Sequence, residues 1–191
     1  MPEPALNTVT TRAAETEWPG LMARYQHGDP EAVEDLIRCL SPYLIRFLSA
    51  PGLSKSDTDD LCQECWIRIH RARHTYRPTE PLLPWIFAIA RHTRLDAYRR
   101  RRRRESREVL VADPPEHAAH TPPVARDAPD RFDQLLTKLP ESQREVIFML
   151  KVSGMSLEEV ARATSSTVGA IKQKAHRAYA TLRRILDKEG D

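Results

Sequence analysis

The chain has 191 residues, enough for one large domain or two small ones. With 40% hydrophobic, 30% charged and only 6% aromatic residues and no strand-like alternation, the composition argues against a sandwich or barrel, and no run approaches the roughly 18 apolar residues of a membrane-spanning helix. The net charge of +3 is polarised: between residues 71 and 107 twelve Arg and no Lys stand against three acids, a net of +9, whereas between 29 and 64 three basic residues stand against eight acids, a net of −5. An acidic patch and a strongly basic one predict two different partners. Pro2, Glu3 and Pro4 do not make the basic and apolar start of a signal peptide, and three irregularly spaced cysteines do not make a disulfide framework, so a cytoplasmic location is expected.

Residues 1–15 carry no sustained apolar period and are expected to form a disordered tail. A first helix is predicted over 18–26. Asp29-Pro30-Glu31 then marks a second start: Asp caps orphan N–H groups, Pro tolerates the first helical position and Glu suits the positive end of the dipole. Val33, Leu36, Ile37, Leu40, Leu44 and Leu48 follow at spacings near three and four, predicting a core helix with a kink at Pro42. Ser56-Asp57-Thr58-Asp59 opens a third helix to about 73, with Leu61, Cys62, Cys65, Trp66 and Ile69 on one face. Asp60, Gln63, Glu64 and Ile67 fall at i, i+3, i+4 and i+7 on another, which is expected to stay exposed. A loop over 74–84 with three prolines leads into a fourth helix through Trp85, Ile86, Ile89, Ala90, Leu95 and Tyr98, ending in the six arginines Arg99 to Arg104. These elements make a first domain over 16–104.

Over 105–130 the apolar period gives way to Pro, Ala, His and Asp, a segment that cannot bury enough surface to offset its ordering entropy and is expected to be a flexible linker. The second domain, 131–188, is more sharply punctuated. Leu135, Leu136 and Leu139 precede Pro140, which starts a helix carrying Val146, Ile147 and Leu150 and ending at Gly154. Ser156 and Glu159 have capping-box spacing before a short helix to about 163. After a turn through Thr164, Ser165 and Ser166, Val168, Ile171, Ala175, Ala178, Leu182 and Ile185 mark the inward stripe of a longer helix. The predicted fold is therefore all-α, two small helical domains joined by a linker.

The last two helices, joined by about three polar residues, have the dimensions of a helix-turn-helix. Opposite its core stripe the second presents Ala170, Lys172, Gln173, Lys174, His176 and Arg177, a mixture suited to phosphates and base edges in a major groove, though also to a solvated bundle face. The arginine run supplies charge without sequence information. Arg91, His92, Arg94 and Asp96, within two turns of Trp85 and near the loop with His74, Tyr76 and Arg77, combine aromatic and cationic groups that can hold unstacked bases, although Trp85 taken alone reads more readily as core than as a stacking platform. Cys62 and Cys65 read as buried apolar side chains, since no second Cys pair and no suitably spaced His complete a zinc site.

Asp59-Asp60-Leu61-Cys62-Gln63-Glu64, then Pro84-Trp85-Ile86-Phe87-Ala88-Ile89-Ala90-Arg91, Leu95-Asp96 and the arginine run resemble region 2 of bacterial RNA polymerase sigma factors of the sigma-70 family. Leu139-Pro140, Gln143-Arg144-Glu145-Val146, Gly154-Met155-Ser156, Glu158-Glu159-Val160-Ala161 and Gly169-Ala170-Ile171-Lys172 through His176-Arg177-Ala178 resemble region 4. Two such regions on a short linker are the layout of the extracytoplasmic-function, or group IV, sigma factors.

The resemblance implies an alternative sigma factor with no catalytic centre, no cofactor and no metal, which binds core RNA polymerase and directs promoter-specific initiation. Asp59, Asp60, Gln63, Glu64 and Ile67 would meet the clamp helices of the β′ subunit, and the second domain would also touch the β flap. His74, Tyr76, Arg77, Trp85, Arg91, His92, Arg94, Asp96, Arg99 and Arg100 would capture and open the −10 element of promoter DNA. Ser166, Thr167, Ala170, Lys172, Gln173, Lys174, His176 and Arg177 would read the −35 element, and the linker would let both domains bind at once. A cognate anti-sigma factor, often membrane-anchored in this family, is the implied regulator. Three positions depart from the family pattern: His92 stands where Asn is usual, Thr164-Ser165 where the turn carries Leu-Gly, and Lys174 where an Arg would offer bidentate contact. Two other readings of the residues are a free-standing helix-turn-helix regulator, which would bind its operator without polymerase, and a DNA-processing enzyme using the acids at 57–60.

Overall fold

The computed structural model describes residues 8–50, 53–108 and 131–189, and every regular element among them is helical. The helices are α1 (Thr8–Gln26), α2 (Pro30–Leu48), α3 (Lys55–Ala72), α4 (Leu82–Glu108), α5 (Arg131–Thr137), α6 (Glu141–Ile147), α7 (Leu157–Ala163) and α8 (Val168–Glu189). A 3-10 turn (Arg73–Thr75) follows α3, and a π turn (Phe148–Val152) follows α6.

Helix α1 starts ten residues before the predicted 18, so the tail expected over 1–15 is helical from Thr8 on; residues 1–7 lie outside the described residues. Once buried Trp18, Met22 and Tyr25 anchor the end of α1, each further turn adds bonds without a new nucleus, and Ala13, Ala14 and Glu15 are good helix formers needing no apolar period. Asp29 caps α2 as expected, its Oδ1 accepting from the N–H of Glu31 at 3.0 Å and of Ala32 at 3.4 Å. Its other oxygen accepts from Arg24 Nε at 2.7 Å, which ties α1 to α2 and holds the Asp29 carboxyl below its ordinary range. Leu36, Leu40, Leu44 and Leu48 are buried, but Ile37 is 40% exposed, because one step along a helix from Leu36 turns it about 100° away from the core. The helix runs through Pro42.

Helix α3 begins just before the expected start, with Ser54 and Asp57 as a reciprocal capping box. Its predicted apolar face is the buried one: Leu61, Cys62, Cys65 and Ile69 are buried, and half-buried Trp66 donates from Nε1 to Ser41 Oγ at 3.0 Å. Helix α4 packs Leu82, Leu83, Ile86, Phe87 and Ala90 into the same core and continues to Glu108. The first residues of the expected linker are thus helix, and 109–130 lie outside the described residues.

In the second half, Leu136, Leu139, Val146, Ile147, Met149, Val160, Ile171 and Ala178 are buried. The predicted single helix from Pro140 to Gly154 is instead α6 plus the π turn, where the N–H of Ser153 donates to Phe148 O at 3.1 Å, one residue further back than an α-helix allows. The capping box of α7 forms as predicted: Glu159 N–H donates to Ser156 Oγ at 3.2 Å and Ser156 N–H to Glu159 Oε2 at 2.7 Å.

The two halves are not held apart. Helix α4 packs against α7, and the Phe148 ring lies 5.5 Å from that of Phe47 on α2 and 6.0 Å from that of Phe87 on α4. Arg46 Nη2 meets Asp133 Oδ1 at 2.7 Å. One continuous buried cluster runs from Trp18 to Ala178.

Candidate nucleic-acid interface

Three surfaces carry the predicted residues, and each follows from helical register. On α3, the residues opposite the buried Leu61, Cys65 and Ile69 point outward: Asp60 and Gln63 are exposed, Asp59 is half-buried and Ile67 is 51% exposed. Glu64, expected on this free face, is already engaged. It accepts from Arg68 Nη2 at 2.6 Å and from Arg100 of α4 at 2.7 and 3.3 Å. Burial alone would raise the Glu64 carboxyl, but the hydrogen bonds from Arg100 and Arg68 outweigh it and hold the group below the ordinary carboxylate range.

The expected −10 residues divide into three groups. His74, Arg77 and His92 are exposed, with His92 Nδ1 2.7 Å from Ala88 O. Trp85 is half-buried, its Nε1 donating to Thr75 Oγ1 at 3.2 Å and its ring 5.6 Å from that of Tyr76. Tyr76 itself is 3% exposed, donates from its hydroxyl to Glu80 O, and has its phenol pushed up to about 12 by burial and by Glu80. Here it acts as core that shapes the turn, not as a surface reader. Asp96, Arg99 and Arg100 lie at the exposed end of α4, where Arg68 Nη1 donates to Asp96 Oδ2 at 2.7 Å and holds that carboxyl low.

Arg91 and Arg94 are turned inward. The Arg94 guanidinium donates from Nη1 to Phe47 O at 3.2 Å, sits 4.6 Å over the Phe47 ring and lies 3.3 Å from Glu141 and 3.6 Å from Glu145 of α6. Arg91 Nε stands 3.0 Å from Glu145 Oε1. The expectation that both cations face a nucleic acid does not hold in this conformation, because the second half covers them.

On α8 the register places Ile171, Ala175 and Ala178 inward, which leaves Lys172, Gln173, His176 and Arg177 exposed and Lys174 and Ala170 half-buried. Thr167 Oγ1 accepts from the N–H of Ala170 at 3.2 Å, capping the helix, while Ser166 is half-buried in the turn. Ser165 adopts φ 51, the left-handed conformation that a glycine takes without strain. A shallow groove bounded by Glu158, Arg162, Ser165 and Thr167 runs along this turn.

Sequence reasoning passed over Arg68, Glu141, Glu145 and Phe148. Arg68 was detectable as the i+4 partner of Glu64; the other three act across the interface between halves, which no local pattern reports. Cys62 and Cys65 are buried and Cys39 half-buried, all as free thiols. Among the described residues no group of three or more His, Cys, Asp or Glu could hold a metal ion, and no helix is long and apolar enough to cross a membrane.

Residues 36–104 match the family described as Sigma-70 region 2, and residues 130–182 that described as Sigma-70, region 4. The chain is 33% identical over 178 residues to the ECF RNA polymerase sigma factor SigF of Caulobacter vibrioides, covering 88% of this chain and 93% of the relative. It is 30% identical over 171 residues to the RNA polymerase sigma factor CarQ of Myxococcus xanthus, covering 86% and 95%. Among solved structures, CnrH in complex with the cytosolic domain of CnrY is similar with a TM-score of 0.65 at 26% identity, covering 89% of this chain and 97% of that one. The sigma factor RpoE of Bartonella quintana, in complex with the anti-sigma factor NepR, shares the fold with a TM-score of 0.62 at 23% identity, covering 81% and 96%. With regions 2 and 4 in order and relatives matched over nearly their full length, the chain belongs to the extracytoplasmic-function family of RNA polymerase sigma factors.

Proposed function

We propose a division of labour within this alternative sigma factor. The exposed Asp60, Gln63 and Ile67 of α3, with Asp59 beside them, dock on the β′ clamp helices of core polymerase, and the second half also meets the β flap. The turn after α3 and the length of α4 capture and open the −10 element, and the first turns of α8 read the −35 element. The domain assignment is a region 2-like unit to the arginine run and a region 4-like helix-turn-helix from 131, with the intervening chain letting the two separate on a promoter. The protein works by binding alone, without a catalytic centre, in the cytoplasm. A cognate anti-sigma factor holds it inactive; similarity to CnrH, solved with the cytosolic domain of CnrY, supports a regulator that reaches the protein from the cytosolic side of a membrane.

The observation that carries this reading is the exposed run Lys172, Gln173, His176 and Arg177 opposite the buried stripe of α8, behind a capped short helix and a tight turn. The test is run-off transcription on genomic fragments with core polymerase and the full chain. Asp60→Arg is expected to abolish core binding, and is preferred to a change at Glu64, which would also break internal ion pairs. Lys172→Glu is expected to keep core binding and lose −35-dependent initiation. Tight, dimeric binding of duplex DNA by the chain alone would overturn the assignment in favour of a free-standing regulator.

A further inference from the structure

Among the described residues, the buried side-chain polar atoms without a hydrogen bond gather on α4, α6 and the turn after α6. They are Nε of Arg91 and Arg94, Oε1 of Gln143 and Glu145, Nε of Arg144, and Oγ of Ser153. Native cores satisfy nearly all such groups, so this concentration at one place asks for a reason. Glu145 and Arg94 have side chains only 9% and 8% exposed, and the distances from Glu145 Oε1 to Arg91 and Arg94, 3.0 and 3.6 Å, suit attraction without the alignment of a hydrogen bond. A buried ion pair of that geometry recovers its desolvation cost poorly. Arg144 adds a like charge near Arg94, and burial with that neighbour lowers its pKa.

The well-formed contacts across the seam lie elsewhere: the Phe148 ring against those of Phe47 and Phe87, and the Arg46–Asp133 ion pair at 2.7 Å. Elsewhere along the seam a small cleft opens between Trp18 and Leu83 on one side and Met155 and Glu159 on the other. A permanent interface gains nothing from misaligned charges. An interface that must part can use them, because opening returns each charge to water while the aromatic contact and the Arg46–Asp133 pair favour closing. Twenty-two residues lie between Glu108 and Arg131 in the sequence.

We propose that this seam is a latch within the chain itself: Glu145 and Glu141 occupy Arg91 and Arg94 as DNA phosphates would, so that the closed protein hides two cations of its strand-binding surface until α5–α8 withdraw. This rests on the assignment of Arg91 and Arg94 to the −10 surface made above.

The test uses the full chain without polymerase, reading the radius of gyration by small-angle scattering and the affinity for a labelled mixed-sequence single-stranded DNA by anisotropy. Glu145→Gln is expected to keep its helix content by circular dichroism, expand the protein, and raise DNA affinity about tenfold if the open form is a one-in-ten minority in the native chain. Glu34→Gln, at an exposed site on α2, removes the same charge away from the seam and is expected to change neither. Arg91→Gln breaks the shortest pair from the other side and is expected to expand the protein too, read by scattering alone, which keeps the idea testable should Glu145→Gln unfold. A Glu145→Gln or Arg91→Gln protein as compact as the native one overturns the latch, as does an equal affinity gain in Glu34→Gln. Expansion without any gain in DNA affinity overturns the masking and places the fault in the −10 assignment rather than in the seam.

Discussion

Arg100 on α4 chelates Glu64 on α3, with Nη2 to Oε2 at 2.7 Å and Nη1 to Oε1 at 3.3 Å. Arg68, one turn beyond Glu64, reaches the same carboxylate at 2.6 Å and Asp96 at 2.7 Å. The acidic face of α3 and the basic end of α4 are therefore one charge network, and a cationic partner arriving at Glu64 competes with Arg100. The side chains are 30–48% exposed, so solvent screens the pairs and each contributes little. Glu64→Gln is expected to cost less than about 1 kcal/mol in urea denaturation.

The same network predicts a pH dependence. Both Glu64 and Asp96 have carboxyls held below their ordinary values in the folded chain, so their contribution is fully present above the unfolded pKa and is lost as pH falls through the lowered folded one. Stability is expected to be flat with pH around neutrality, where the network's contribution is fully present, and the acid arm of the stability curve to be shallower in a Glu64→Gln, Asp96→Asn double variant. Parallel acid arms for native and variant proteins would contradict the assignment.

Ser165 is the non-glycine residue at positive φ among the described residues, in the turn between α7 and α8. A side chain in the left-handed region costs roughly 1–2 kcal/mol, partly offset because glycine loses more freedom on folding. Ser165→Gly is expected to stabilise the protein by about 0.5–1 kcal/mol and raise the melting temperature. An unchanged or lower melting temperature would mean that the serine side chain makes a compensating contact.

How much of this was legible before the structure depends on the range over which each signal acts. The caps at Asp29 and Ser156, the buried stripe of α3 and the register of α8 are set within one or two turns, and the residues alone located them. Helix α1 was underestimated because its first half follows propensity instead of an apolar period. The fate of Tyr76, Arg91 and Arg94 depended on Glu80, Glu145 and Phe47, the last two of which are far away in sequence, so aromatic and cationic character was visible while burial was not. Ile37 shows the converse: a good apolar spacing places a residue only to within one helical step.

Cys65 is fully buried and its thiol is pushed up to about 12, mainly by burial, while burial also raises the neighbouring Cys62. Since the thiolate is the reactive form, both should resist modification in the native protein. Titration with a disulfide reagent is expected to label half-buried Cys39 first, with Cys62 and Cys65 reacting only as urea unfolds the first half. Rapid native labelling of Cys62 or Cys65 would reopen a redox role.

Tyr76 and Trp85 are adjacent rings with opposite exposure, and they should separate on mutation. Tyr76 is enclosed and spends its hydroxyl on Glu80 O, so Tyr76→Phe should cost about 1 kcal/mol of stability and leave initiation intact. Trp85 keeps part of its indole in solvent at the start of α4, beside exposed His74 and Arg77 and fixed by its bond to Thr75, where an unstacked base could lie against it. Trp85→Ala should therefore lower initiation from duplex promoters while sparing templates opened in advance around −10, because only the former require strand separation. Comparing the two variants on both template types with core polymerase decides the matter. If Trp85→Ala acts equally on open and closed templates, the indole is a packing residue and the strand-opening surface lies elsewhere on α4; if Tyr76→Phe abolishes initiation at undiminished stability, the Tyr76 hydroxyl does more than support the core.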